Sequence, residues 1–132
     1  MHRKVILLGV GVLMMSMFAA NAEAGWSGNN FHSPSGNIRC FFFSNTIHCG
    51  SLASDTWIDL PKHAAWRKSL ASFSPEPSHT LYYGQRWTTR DSALSCKSLF
   101  TGMSCSNVLG YRFVISRSHW SGWYRSHLMA SG

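Results

Sequence analysis

Carboxylates are the scarcest chemistry in this chain. Its 132 residues hold five Asp and Glu against twelve Lys and Arg, and no carboxylate follows Asp91. After the N-terminal stretch, a Ser-His-Asp arrangement has only Asp55, Asp59, Glu76 or Asp91 to orient its histidine. No Gly-x-Ser-x-Gly elbow offers the nucleophile. His32, His48, His63, His79, His119 and His127 are scattered, without the i, i+4 pair by which a helix holds a metal. No catalytic residue, metal or other cofactor is therefore expected. The alternative is a small secreted hydrolase, a histidine-dependent nuclease built on His48, His119 and Lys97, although nothing in the sequence brings those three together.

Long apolar runs are also missing, with one exception. Arg3 and Lys4 precede a run of about sixteen apolar residues from Val5 to Ala20, and Ala22-Glu23-Ala24 follows as a small-residue cleavage site. A membrane span needs about 20 residues, and no cysteine stands near the cleavage site to carry a lipid. Residues 1–24 are expected to be a signal peptide, which makes the protein secreted or periplasmic. Residues 25–37, rich in Gly, Ser and Asn, are expected as a flexible lead-in. Residues 38–132 are expected as a single β-rich domain.

Only four cysteines are present, and they come in two pairs of equal spacing, Cys40-x8-Cys49 and Cys96-x8-Cys105. In an oxidising compartment such pairs form disulfides rather than metal or redox sites. Ile38 to Phe43 reads as a strand and Thr46 to Cys49 as its return. A two-residue turn at Ser44-Asn45 sets Cys40 opposite Cys49, Phe41 opposite His48 and Phe42 opposite Ile47. Ala93 to Leu99, a turn at Phe100-Thr101 and Gly102 to Cys105 repeat the arrangement, with Cys96 opposite Cys105.

Leu81 to Tyr83 and Arg86 to Thr89 read as a further hairpin turning at Gly84-Gln85. Tyr111 to Ser116 is one more strand, with Phe113 and Ile115 on one face and Arg112 and Val114 on the other. One stretch breaks the pattern: Asp59 to Phe73 has no glycine, and Trp66, Leu70 and Phe73 recur at i, i+4, i+7, which predicts a helix capped by Asp59 with Pro61 in its first turn. The expected fold is mostly β (α+β), a small antiparallel sheet or barrel-like domain of disulfide-stapled hairpins with one short helix.

Removing Arg3, Lys4 and Glu23 from the twelve basic and five acidic residues leaves ten and four, a formal charge of +6. From Ser92 onward Lys97, Arg112, Arg117 and Arg125 have no carboxylate among them. This asymmetry favours an anionic partner, either an envelope polymer such as lipopolysaccharide or teichoic acid, or nucleic acid. The candidate binding segment is C-terminal, where Arg112, Arg117, His119, Trp120, Trp123, Tyr124, Arg125 and His127 interleave cations with aromatic rings. The expected function is that of an exported binding or envelope-associated module, with no enzymatic activity.

Three groups of residues resemble a family of small bacterial secreted domains of unknown function. The first is Ser33-Pro34-Ser35-Gly36-Asn37-Ile38-Arg39-Cys40 with Cys49 after eight residues. The second is Leu81, Tyr83 and Gly84 followed by Cys96, Ser98, Gly102 and Cys105. The third is Gly110, Phe113, Ser116 and Arg117. The resemblance covers about half of the chain after residue 24. It implies an exported, disulfide-bonded β domain and names no ligand. Relatives tend to carry a further cysteine pair in the middle, where this chain has none. Ser121-Gly122-Trp123-Tyr124 is also similar to the Ser-Gly-x-x-Tyr loop of exported lysozyme inhibitors, but its tyrosine comes one residue early. A charge of +6 would repel a cationic lysozyme.

Overall fold

The computed structural model describes residues 28–69 and 79–132, so the expected signal peptide and the linker at 74–78 lie outside the described residues. Twelve strands follow in chain order: β1 (Asn30–His32), β2 (Ile38–Phe43), β3 (Thr46–Ser51), β4 (Thr56–Pro61), β5 (Arg67–Lys68), β6 (His79–Thr80), β7 (Arg86–Thr88), β8 (Leu94–Leu99), β9 (Gly102–Asn107), β10 (Tyr111–Ile115), β11 (Trp120–Tyr124) and β12 (His127–Ser131). They form two open six-stranded sheets, in the orders β5-β4-β3-β2-β1-β6 and β12-β11-β10-β9-β8-β7. The second sheet is antiparallel throughout. The first is mixed, because β6 runs parallel to β1. The fold is thus all-β rather than a single sheet or a closed barrel.

The hairpins form in the expected register. Ser44 and Asn45 both adopt positive φ (53° and 58°), as a two-residue turn matched to strand twist requires. Cys40 stands opposite Cys49, Phe41 opposite His48 and Phe42 opposite Ile47. Cys96 stands opposite Cys105. Both disulfides are closed. Gly102 has φ +148°, and a Cβ there would meet the Ile115 carbonyl oxygen at 2.4 Å, so no side chain fits at the return of the second hairpin.

The inner faces of both sheets supply one core: Phe31, Cys40, Ile47, Cys49, Ile58 and Leu60 from the first, and Trp87, Leu94, Cys96, Met103, Cys105, Phe113 and Ile115 from the second. Removing that apolar surface from water drives the two sheets together. The sheets also repeat each other. Phe31 opposes Cys40 as Trp87 opposes Cys96, and Ile58 opposes Cys49 as Phe113 opposes Cys105. Strands β1–β4 are therefore equivalent to β7–β10.

The loops ahead of the two hairpins match bond for bond. Ser33 bonds Ile38 through its amide (2.9 Å) and its hydroxyl (3.1 Å), and Thr89 bonds Leu94 in the same way at 3.0 and 3.1 Å. Ser35 Oγ accepts from the Asn37 amide as Asp91 Oδ1 accepts from the Ala93 amide.

Three expectations are corrected. Among the described residues there is no helix, and so none long and apolar enough to cross a membrane. Asp59 and Pro61 lie in β4, paired along its length with β3, and Arg67–Lys68 return as β5. Two forces override the helical pattern. Ile58 and Leu60 alternate into the core, and Asp59 is held on the opposite face by His48 Nδ1 at 2.6 Å and Arg67 Nε at 3.6 Å. Leu70 and Phe73 lie outside the described residues. Trp66, the remaining member of the stripe, packs between the sheets against Gly122.

The hairpin expected at Leu81–Thr89 is likewise absent. His79–Thr80 joins the first sheet and Arg86–Thr88 the second, so the intervening residues carry the chain from one sheet to the other. Within the stretch expected as a flexible lead-in, Asn30–His32 forms β1, anchored by the buried ring of Phe31 stacked on Trp87 at 5.3 Å.

Candidate anion-binding face

Residues that alternate inward along the second sheet have partners that alternate outward. With Cys96, Ser98, Met103, Cys105, Phe113 and Ile115 turned in, the outward set is Arg86 and Thr88 on β7, Ser95 and Lys97 on β8, Ser104 and Ser106 on β9, Arg112 and Val114 on β10, and Ser121 and Trp123 on β11. The cross-strand register aligns them in two rows. One runs Thr88, Ser95, Ser106, Arg112, Trp123, and the other Arg86, Lys97, Ser104, Val114, Ser121. Arg86 and Lys97 are direct cross-strand neighbours. Arg112 lies three strands from Arg86, about 14 Å across the sheet at the usual strand spacing, and two residues off its row.

Arg112 lies over the ring of Trp123 at 4.4 Å, close enough for a cation–π contact. Arg86 Nη1 donates to Ser95 Oγ at 3.0 Å. The described carboxylates are elsewhere. Asp55 sits in the β3–β4 turn, Asp59 is held by His48 and Arg67, and Asp91 pairs with Lys62 at 2.8 Å. The face therefore presents three cations among hydroxyl groups, with one ring and no acid of its own.

The expected C-terminal site divides among several places. Arg112 and Trp123 share the outer face. Trp120 and Tyr124 turn inward: Trp120 packs edge-on to Trp66 at 5.7 Å, and Tyr124 lies 4.6 Å from Tyr111. Arg125, at positive φ in the β11–β12 turn, lies 5.4 Å from the Tyr124 ring. Arg117 and His119 are exposed in the β10–β11 turn, and His127 opens β12.

Sequence reasoning left Arg86 and the serines out of the candidate site, and placed Lys97 only among the C-terminal cations and in the nuclease alternative. Their signal was the alternation Arg86-x-Thr88, Ser95-x-Lys97 and Ser104-x-Ser106, which defines one face only once the strand order is known.

His48, His119 and Lys97 are not brought together. His48 lies on the outer face of the first sheet, stacked on Phe41 at 4.5 Å and bonded to Asp59, while Lys97 lies on the outer face of the second. The sulfurs of Cys49, Cys96 and Cys105 lie within 4.8 Å of one another, but all three belong to disulfides and offer no thiolate to a metal. No protein-family model, no curated protein and no solved structure matches the chain.

Proposed function

We propose that this protein is an exported, envelope-associated binding module, and that the outer face of its second sheet holds an anionic envelope polymer. The observation that carries this reading is that Arg86 and Lys97 in one cross-strand row and Arg112 in the next share the outer face of β7, β8 and β10 with serine and threonine hydroxyls, and that none of the described carboxylates lies among them. Cations at intervals along a sheet attract successive charges of a polymer, and the hydroxyls hydrogen-bond its sugar or glycerol units. Trp123, with Arg112 above it, adds a flat surface at one end of the row.

The test is a salt titration of the oxidised protein against teichoic acid, lipopolysaccharide and single-stranded DNA. Affinity for one of the two envelope polymers should fall steeply between 50 and 500 mM salt, the interval chosen to be about tenfold. Lys97→Ala and Arg112→Ala should each reduce the slope of log affinity against log salt by about one. Arg39→Gln, on the first sheet, serves as the control. Binding that survives molar salt, or that ignores Lys97 and Arg112, overturns the reading. Preference for DNA, lost in Trp123→Ala, replaces the envelope polymer with a nucleic acid.

A further inference from the structure

The repeat within the fold exposes a difference between the two equivalent junctions that join its halves. Leu60 opposes Ile47 and Ile115 opposes Met103, and these partners each stand two residues before the second cysteine of their hairpin. Lys62 and Arg117, each two residues further along, are therefore equivalent. So are Asp91 and Ser35, by the matched hydrogen bonds of their loops. Where the end of β4 meets the β7–β8 loop, Lys62 Nζ meets Asp91 Oδ2 at 2.8 Å, and the cation and carboxylate satisfy each other. At the equivalent junction, where the end of β10 meets the β1–β2 loop, Arg117 shares a cleft with Ser33 and Ser35, and a serine stands in place of the carboxylate. Arg117 is exposed and has no carboxylate partner among the described residues.

That cleft has a volume of about 210 Å³, room for one sugar ring rather than a larger ligand. Its rim carries Tyr83 and Phe100, 48% and 85% exposed, with ring centroids 4.9 Å apart. Two large rings left in water beside a cleft that also carries hydroxyl groups suit the C–H face of a saturated ring. The hydroxyls of Ser33, Ser35 and Thr101 line the same space and keep hydrogen-bonding capacity for a polyol.

We propose that this cleft binds a carboxylate-bearing sugar residue, whose carboxylate takes the place beside Arg117 that Asp91 holds beside Lys62. The guanidinium fork matches a carboxylate in two parallel hydrogen bonds, the aromatic rim takes the ring, and the serine loop takes its hydroxyls. The site lies at the end of the sandwich, built from loops of both sheets, and does not use Arg86, Lys97 or Arg112.

The experiment is an amide NMR titration of the oxidised protein with D-glucuronate, D-glucose and acetate. Glucuronate should shift the amides of Ser35, Phe100 and Arg117 saturably, while glucose and acetate bind at least about tenfold more weakly, each lacking half of the recognition. Ser35→Asp restores the missing carboxylate and should abolish the glucuronate response while leaving polymer binding by the outer face intact. Arg117→Gln, which alters only an exposed side chain, should weaken glucuronate about tenfold or more. No saturable shift, an equal response to glucose or acetate, or undiminished binding in either variant overturns the proposal.

Discussion

Cys49 Sγ lies 3.7 Å from Cys105 Sγ, where the two disulfides meet in the core between the two halves of the sandwich. Each disulfide spans a single hairpin, with a sequence separation of 9, yet the pair of them forms the contact between sheets. Local staples thereby become part of the long-range packing.

Replacing Cys40 and Cys49 together by alanine should cost about 2.5–3 kcal/mol, the chain-entropy value for a loop of about ten residues, and replacing Cys96 and Cys105 should cost a similar amount. Because the sulfurs touch, the quadruple variant should depart from the sum by about 0.5 kcal/mol or more in urea unfolding. Peptide mapping without reduction should recover Cys40–Cys49 and Cys96–Cys105. A Cys49–Cys105 link would contradict the architecture.

The two hairpins were legible in the sequence because what specifies them is local, the eight-residue spacing of each cysteine pair and the Ser44-Asn45 turn, and β10 was legible from the alternation of Phe113 and Ile115. What was not legible depends on non-local pairing. Asn30–His32 is a three-residue strand whose neighbours suggest a loop, and it forms because Phe31 is buried against Trp87. Trp66 takes part in a helical spacing, but its ring fits the space above Gly122, fifty-six positions later in the chain. The cations of the candidate face come from three strands. Proximity along the chain pointed to the C-terminal segment, which in fact contributes Arg112 and Trp123 to that face and sends Trp120 and Tyr124 inward.

Asp91 should give the protein part of its acid sensitivity. Its carboxyl is held well below the usual carboxylate range, first by the Lys62 ammonium, then by the Thr89 hydroxyl and the Ala93 amide. A depressed carboxylate contributes stability in full above its unfolded-state value, near pH 4, and loses that contribution as pH falls toward the folded value. Asp91→Asn keeps the capping oxygen and removes the charge. Its thermal unfolding midpoint should lie below that of the native protein at pH 7, and the gap should narrow toward pH 2. Parallel curves across that range would refute the assignment.

His32 should respond in a higher window. Burial pushes its imidazole below the usual histidine value, with the charges of Arg39 and His79 acting the same way. Its Nε2 lies 2.9 Å from Thr80 Oγ1, and the His32 carbonyl accepts from the Leu81 amide at 2.8 Å, so the ring sits at the parallel seam of β1 and β6. The folded state resists protonation. Stability is therefore complete above the unfolded value, near pH 6.5, and declines as pH falls below it until the folded value is passed. NMR titration should place the His32 midpoint below 6.5, the ordinary value. His32→Gln should flatten the stability profile between about pH 7.5 and 5. A midpoint at or above the ordinary value would reverse the sign and reject this account.

Gly122 and Trp66 should behave as a coupled pair. A Cβ on Gly122 would lie 2.4 Å from Trp66 Cε2 and 2.5 Å from Cζ2, inside a rigid ring that cannot swing aside as a chain end would. Trp66 Nε1 also donates to the Trp123 carbonyl at 3.2 Å, so the ring braces β11 from the side opposite the Arg112–Trp123 stack. Gly122→Ala should cost about 1–3 kcal/mol by overpacking. Trp66→Ala should cost about 3 kcal/mol, the low end for a large aromatic, because the ring is only partly buried. Once the ring is gone the added methyl meets no obstacle, so the double variant should be no less stable than Trp66→Ala alone, and the near-ultraviolet circular dichroism of Gly122→Ala should show the disturbed tryptophans. Additive costs in urea unfolding would mean that the ring does not occupy the space above Gly122, and that β11 is held in place by its hydrogen-bonded neighbours alone.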